Sequence, residues 1–242
     1  MLVNSKIKII QSLDKKKFRQ KYNLFAIEGN KILNEIEKST FVIDEIFSLV
    51  DNTSLIKLFP QAKIISESEL KKISFLKNPS NSFALLQIKP NNLIITNSLQ
   101  LVLDDVQDPG NLGTIIRLCD WFGIQQIICS ENTVDLYNPK VIQASMGSFL
   151  RVNVFYTDLE SFLKDSQIPI VATAMNGENL YEMNINQNSY LVLGNEGNGI
   201  SEKIVKLCTQ KITIPQFNSH QKTESLNVAM ATSIIISKII GK

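Results

Sequence analysis

The stretch LQLVLDDVQDPGNLGTIIRLCDWFGIQQIICS, residues 99–130, holds two short apolar runs on either side of a helical segment. LQLVLDD at 99–105 and QQIICS at 125–130 are nearly continuous in apolar residues, as strands covered on both faces are. Residues 111–122 between them read as a helix. The alternation continues outward: RVNVFY at 151–156, PIVATA at 169–174, SYLVLG at 189–194 and KITI at 211–214 read as strands. Helical segments are expected at about 138–149, 158–166, 201–209 and 225–240. This pattern predicts an α/β domain, one mostly parallel sheet with helices on both faces.

The chain before this domain is built differently. Gly29 is the only glycine before residue 110, and nine of the ten follow. Helical patterns at 4–17 and 29–38 alternate with the extended stretches 24–28, 41–50, 62–66 and 82–88, which predicts a small α/β module. KPNNLIITNS, 89–98, has a proline, three asparagines and no helical period, and reads as a linker. The expected domains are therefore 1–95 and 96–242.

With 242 residues, 44% of them hydrophobic and 20% charged, the composition excludes a disordered tail, a collagen-like fibre and a coiled coil. Neither a membrane-spanning run nor a signal peptide is recognisable, so a cytoplasmic protein is expected. Cys119, Cys129 and Cys208 are far apart and read as reduced core thiols rather than a disulfide framework or zinc site. His220, the only histidine, argues against a multi-histidine metal cluster and a Ser-His-Asp triad. Net charge is +2, but residues 1–95 carry +6 and residues 96–242 carry −4. The first 21 residues hold Lys6, Lys8, Lys15, Lys16, Lys17, Arg19 and Lys21 against Asp14 alone. Such an arm suits a phosphate-bearing partner, and a solvated helix face is the alternative.

Ligands of open parallel sheets bind beyond the carboxyl ends of the strands. Three segments there stand out. In DDVQDPGNLGTIIRLCDWFG, 104–123, Gly110 and Gly113 permit close backbone approach, Asn111 can cap the helix, and Arg117 can reach a phosphate or developing oxyanion. LGNEGNGIS, 193–201, offers three glycines and the carboxylate of Glu196, which could orient Arg117. In ITIPQFNSHQKTESLNVAMA, 212–231, Ser225 is placed to cap the last helix. Each has a bland alternative, an ordinary capped turn. No G-x-G-x-x-G or P-loop pattern occurs. The last helix, SLNVAMATSIIISKII, is apolar nearly all round, which suggests burial on more than one side and a homodimer.

Order and residue types together resemble one family, the SpoU-type members of the SPOUT superfamily, S-adenosylmethionine-dependent RNA ribose 2′-O-methyltransferases. NLGTIIR at 111–117 is similar to the family's first motif and LGNEGNGI at 193–200 to its second. IP at 214–215 with SLNVAMA at 225–231 is similar to the third. VDLYNPKVIQASMGS at 134–148 also resembles family sequence, and the first 95 residues, with FAIEGNKIL at 25–33, resemble the substrate-binding module many members carry. Two departures exist: the path Gln216–Glu224 is longer than usual and lacks a glycine, and Gln143 stands where many members have a basic residue.

The resemblance implies a carboxy-terminal trefoil knot, a bound S-adenosyl-L-methionine and a homodimer, with no metal. It implies that Leu193, Gly194, Gly197, Ile200, Ile214 and Leu226 hold the cofactor. It also implies that Arg117 is the central catalytic residue, with Asn111, Glu196, Ser225 and Asn227 orienting it and the ribose, and Glu196 pairing its charge. A guanidinium is never deprotonated in proteins, so Arg117 is read as stabilising the developing alkoxide and gripping a phosphate. Ribosomal RNA is the expected substrate, ahead of transfer RNA. Three further readings stand beside it: a catalytically silent RNA-binding protein on the same fold, a base-methylating relative, and a nucleotide-dependent oxidoreductase, which the absent dinucleotide fingerprint disfavours.

Overall fold

A computed structural model describes residues 2–218 and 225–241, arranged in two compact units. The first comprises Met1–Pro90 and Asp135–Leu150, the second Asn91–Val134 and Arg151–Lys242. The expectations for His220, and for the lengthened path where it crosses 219–224, lie outside the described residues.

The first unit opens with α1 (Asn4–Ser12) and α2 (Lys16–Tyr22), then β1 (Leu24–Glu28), α3 (Asn30–Ile36), β2 (Ile43–Ser48) and α4 (Thr53–Leu58). It continues with β3 (Lys63–Ile64), α5 (Glu67–Ile73) and β4 (Ser82–Gln87). The strand order is β1-β4-β2-β3; β4 runs antiparallel to both neighbours, and β3 is parallel to β2. Ile7, Ile10 and Leu13, at spacings of three, pack into the same core as Phe47, Phe83 and Leu85.

The basic arm is therefore folded structure. Arg19 is 2% exposed. Its guanidinium donates to the Asp135 carboxylate at 2.8 and 2.5 Å and to the carbonyls of Leu13 and Asp14 at 2.7 and 2.9 Å. Burial at that depth requires such complete pairing, so Arg19 is removed from any charged surface. Lys6 likewise pairs with Glu45.

Helices α4 and α5 were not expected from periodicity, because each is two turns or less. A local signal for α5 did exist: Ser66 and Glu69 form a reciprocal capping box. The Glu69 carboxylate accepts from the backbone N–H groups of Ser66 at 3.0 Å and Leu2 at 2.6 Å, which hold its pKa down to about 2. A depressed carboxyl pKa gives stability that is present above the unfolded value and lost as pH falls toward the folded one. Urea unfolding should accordingly show a gap between wild type and Glu69→Gln that is full at about pH 6, shrinks below about pH 4.5 and closes toward about pH 2.

The second unit begins with β5 (Gln100–Leu103), α6 (Pro109–Phe122) and β6 (Gln126–Ser130). The chain then contributes α7 (Pro139–Ser145) and a 3₁₀ turn (Ser148–Leu150) to the first unit. Phe25 draws this segment in: its ring lies 4.4 Å from Tyr137 and 6.1 Å from Phe149, and Phe149 also meets Phe41 at 5.7 Å. Returning to the second unit are β7 (Asn153–Thr157), α8 (Leu159–Lys164), β8 (Ile170–Asn179) and β9 (Tyr190–Leu193). Helix α9 (Glu202–Val205), β10 (Gln210–Thr213) and α10 (Val228–Ile240) complete it.

The six strands are all parallel, in the order β10-β8-β9-β5-β6-β7. Val102, Ile128 and Val192 point toward Leu159 and Leu163 of α8 and Ile204 of α9. Their neighbours Leu101, Leu103, Ile127, Leu191 and Leu193 face the opposite way and are equally buried. That side needs its own cover, where α6 and α10 pack together. The expected parallel α/β sheet with helices on both faces is what the structure has. None of the described helices is long and apolar enough to cross a membrane.

The proposed linker is pinned rather than free. Lys89 and Pro90 belong to the first unit; from Asn91 the chain is held to the second sheet by side-chain amides. Asn91 exchanges two hydrogen bonds with the backbone of Tyr156, at 2.7 and 2.9 Å, and Gln126 does the same with Ile94, at 2.7 and 2.9 Å. With the return of 135–150, this places the compact units differently from a single cut after residue 95. Cys119 and Cys129 are buried and their thiols pushed far up by burial, whereas Cys208 is half-buried and raised to about 11.

Candidate active site

The carboxyl ends of β8, β9 and β10 open onto a cleft of about 940 Å³. One wall comes from β8 itself: Lys211 pairs with Ala172 but Ile212 with Glu178, so residues 173–177 bow out of the ladder. The excursion closes at Gly177, where a Cβ would lie 2.4 Å from the Ile212 carbonyl carbon. Thr173, Ala174, Met175 and Asn176 all line the cleft. Periodicity stops the strand at 174 because a bowed strand has no regular alternation to read.

The second wall is the glycine-rich loop after β9. Asn195 builds it: Asn195 and Gly199 exchange two backbone hydrogen bonds of 2.9 Å. The Asn195 side-chain oxygen accepts from the N–H groups of Gly197 and Asn198 at 2.9 and 3.0 Å. Its Nδ2 donates to the Asp105 carbonyl at 2.8 Å. Asp104, buried at the end of β5, accepts from Ser201 N–H at 2.8 Å and holds the far end of the loop. Asn195 and Asp104 were missed by sequence reading; an asparagine beside a glycine in a turn is the signal that points to the first.

All six residues expected to hold the cofactor line this cleft: Leu193, Gly194, Gly197, Ile200, Ile214 and Leu226. Glu196 and Ser225 line it too; Asn111, Arg117 and Asn227 do not. Glu196, Asn111 and Asn227 are joined by a chain of side-chain bonds. Glu196 Oε1 accepts from Asn111 Nδ2 at 2.8 Å, and Asn111 Oδ1 accepts from Asn227 Nδ2 at 2.9 Å. The Glu196 carboxylate also faces the backbone N–H groups of Asp108 and Gln107 at 3.4 and 3.5 Å. One short chain of polar groups thus ties together the loop after β5, the loop after β9 and the start of α10.

Arg117 stands outside that chain. It lies on the exposed stripe of α6 formed by Thr114, Arg117 and Trp121 and makes no hydrogen bond or ion pair among the described residues. The expected pairing of Glu196 with Arg117 is therefore replaced by Glu196 with Asn111: a carboxylate at the end of a short side chain takes the donors its own loop brings to it.

Two expected caps are also corrected. Helix α6 starts at Pro109 and is capped by Asp108, whose side chain accepts from Asn111 N–H at 2.8 Å, which leaves the Asn111 side chain free for Glu196. Helix α10 is capped by Asn227, accepting from Ala229 and Met230 N–H at 3.0 and 3.2 Å, not by Ser225.

Comparison with known proteins identifies the family of both parts of the chain. A model of the SpoU rRNA methylase family matches residues 98–237, and one of the MRM3-like substrate binding domain matches residues 4–84. A Bacillus subtilis protein named 23S rRNA (guanosine(2553)-2′-O)-methyltransferase RlmP is 30% identical, over 98% of this chain and 97% of its own. A solved TrmH-family protein from Porphyromonas gingivalis is 33% identical with a TM-score of 0.87, covering 99% of this chain and 98% of that one. An AdoMet-bound rRNA methyltransferase from Sinorhizobium meliloti is 25% identical with a TM-score of 0.85, covering 99% and 95%. With more than half its length matched by the family model and nearly all of it by these relatives, the chain belongs to the SpoU rRNA methylase family.

Proposed function

We propose that the protein transfers a methyl group from S-adenosyl-L-methionine to a ribose 2′-hydroxyl of ribosomal RNA in the cytoplasm, working as a homodimer. The observation that carries this reading is the Glu196–Asn111–Asn227 chain at the rim of the glycine-walled cleft. The cleft fits the cofactor: about 940 Å³ lies near the upper end of the roughly 300–1,000 Å³ typical of small-molecule sites. It combines exposed glycine backbone, which serves polar groups, with the apolar side chains of Leu193, Ile200, Ile214 and Leu226. Bound there, S-adenosyl-L-methionine would supply an electrophilic methyl group on a sulfonium. The chain itself closes around the cofactor in a trefoil knot in this reading.

Asn111 and Asn227, fixed by Glu196, orient the ribose, and Ser225 adds a hydroxyl at the cleft edge. Arg117 grips the neighbouring phosphate through its planar fork and stabilises negative charge growing on the 2′-oxygen. It retains its own protons, since a guanidinium is not a base at any physiological pH. Holding hydroxyl and methyl in line accounts for much of the acceleration. Dimerisation is supported by Trp121, 85% exposed on α6, and Met230, 60% exposed on the adjacent α10.

The test is transfer from labelled S-adenosylmethionine to total RNA of cells lacking the protein, followed by nuclease digestion and nucleoside mass spectrometry. A 2′-O-methylnucleoside in ribosomal RNA supports the proposal. Label in transfer RNA, in a base, or in nothing despite tight RNA binding would replace it with one of the other readings.

The first unit supplies RNA affinity in this proposal, through the exposed Lys8, Lys15, Lys17 and Lys21. Removing residues 1–21 would be a poor test, because Ile7, Ile10, Leu13 and Arg19 are core. Changing those four lysines to glutamine should preserve folding and lower the slope of log K against log salt by about three, at about 0.7 per lost single-strand contact. An unchanged slope would assign RNA binding to another face.

A further inference from the structure

The first unit has a pocket of its own, of about 230 Å³, which the proposed chemistry does not use. It lies where the end of β1 and the start of α3 face Phe75, Leu76 and one side of α7. Its floor is apolar: Ile27 and Ile32 are buried, and the half-buried Phe75 ring is steadied by Phe83, 6.4 Å away at a tilt of 34°. Into this floor is set a single half-buried carboxylate, Glu28. Its Oε1 accepts from Phe75 N–H at 2.7 Å and its Oε2 from Ser74 Oγ at 2.6 Å, so the group is fixed in place while each oxygen keeps a lone pair. Burial raises its pKa, partly offset by those two bonds. At the rim stand Lys31, Lys140 and the Gln143 side chain, all exposed and without a side-chain hydrogen bond or ion pair among the described residues.

An apolar floor that includes an aromatic ring, a fixed acceptor set in it and two exposed cations at the rim match the three parts of a nucleotide: ring face, base edge and phosphate. The volume lies just below the roughly 300 Å³ at which sites for larger ligands begin, which limits the pocket to one base. We propose that this pocket captures one unpaired, amino-bearing nucleobase of the RNA substrate, its edge donating to Glu28 and its flanking phosphates meeting Lys31 and Lys140. Guanine, adenine and cytosine carry an exocyclic amino group that can donate to a carboxylate; uracil's N3–H lies between two carbonyl oxygens that repel a carboxylate, so uracil is disfavoured. The inference rests on the reading that the first unit binds RNA. It adds a second contact, remote in sequence from the three motif loops, that selects by base identity.

The experiment is a titration of the isotopically labelled full-length protein, its cleft first saturated with S-adenosylhomocysteine, with GMP, AMP, CMP and UMP in turn. Amide resonances of Glu28, Phe75, Lys140 and Gln143 are followed by NMR. The amino-bearing nucleotides should shift these resonances with an affinity about tenfold above that of UMP. Glu28→Gln, whose amide can donate to a uracil carbonyl, should erase or reverse that order, and Lys140→Ala should weaken all four nucleotides alike. If Glu28→Gln fails to fold, Lys31→Ala with Lys140→Ala, both on exposed positions, gives the second reading: a uniform loss of about tenfold.

No shift at these amides, or equal affinity for all four nucleotides in the wild type, overturns the proposal. So does unaltered binding by the lysine pair. A ribosomal RNA fragment is titrated in parallel. Retained fragment binding with a silent pocket would sink this inference alone, whereas no fragment binding by the wild-type protein would sink the RNA-binding reading on which it rests.

Discussion

Arg117→Ala is expected to lower methyl transfer by about a hundred- to a thousandfold while leaving the fold and cofactor affinity as they were. The two halves of that expectation have separate grounds. The guanidinium is exposed and unpaired among the described residues, so truncation leaves no buried group unsatisfied, and stability should stay within about 0.5 kcal/mol of wild type. The side chain does not line the cleft, so calorimetric binding of S-adenosylhomocysteine should be unchanged. In the proposed mechanism what is lost is charge stabilisation at the 2′-oxygen, which a single preorganised donor supplies at about 3–4 kcal/mol. Arg117→Lys keeps the charge without the fork and should recover only part of the rate. Single-turnover methylation of ribosomal RNA measures both. Near-normal turnover in the alanine variant would mean that the reaction centre lies elsewhere.

Gly194→Ala should have the opposite profile, with binding lost before chemistry begins. A Cβ at residue 194 would stand 2.2 Å from the Gly199 carbonyl carbon and 2.3 Å from Ile200 N, both backbone atoms that cannot rotate away. The Asn195–Gly199 bridge would have to open, and with it the turn that Asn195 holds closed. Two lost backbone hydrogen bonds and the attendant strain amount to about 2–4 kcal/mol. Cofactor affinity should fall by about a hundredfold or more, because the displaced backbone is itself the wall of the cleft.

Gly197→Ala is the internal control. Its Cβ would meet only Asn195 Oδ1, at 3.6 Å, an ordinary contact. Within one motif, alanine should therefore be tolerated at 197 and ruinous at 194. Calorimetry and thermal unfolding of the two variants side by side would decide it, and equal affinities would show that the closed loop is dispensable.

Much of this molecule was legible in its sequence wherever the signal is local. Buried parallel strands announce themselves as apolar runs, and all six in the second unit were expected close to where they lie. The glycine loop and the third motif were found because glycine density and composition depend on neighbours in the chain. Short elements were lost: α4 and α5 span too few residues for a helical period to accumulate, although the capping box at Ser66 was there to be read. Beyond residue 174 the bow in β8 was invisible, since its shape follows from the β10 backbone passing against Gly177.

By itself, then, the sequence determined the α/β class, the six-strand domain, the family resemblance and eight of the residues that line the cleft. Tertiary structure alone decided their partners. Glu196 and Asn111 lie 85 residues apart, Asn111 and Asn227 116 apart, and nothing in local propensity says that the carboxylate bonds an amide rather than Arg117. It also decided that Arg19 is core rather than RNA-binding surface, because Asp135 arrives from 116 residues away to satisfy its charge. Likewise, residues 135–150 fold with the first unit because Tyr137 and Phe149 find the rings of Phe25 and Phe41 there. The reason is common to all three: burial and pairing are properties of which surfaces meet, and a chain fixes those only once its sheets have formed.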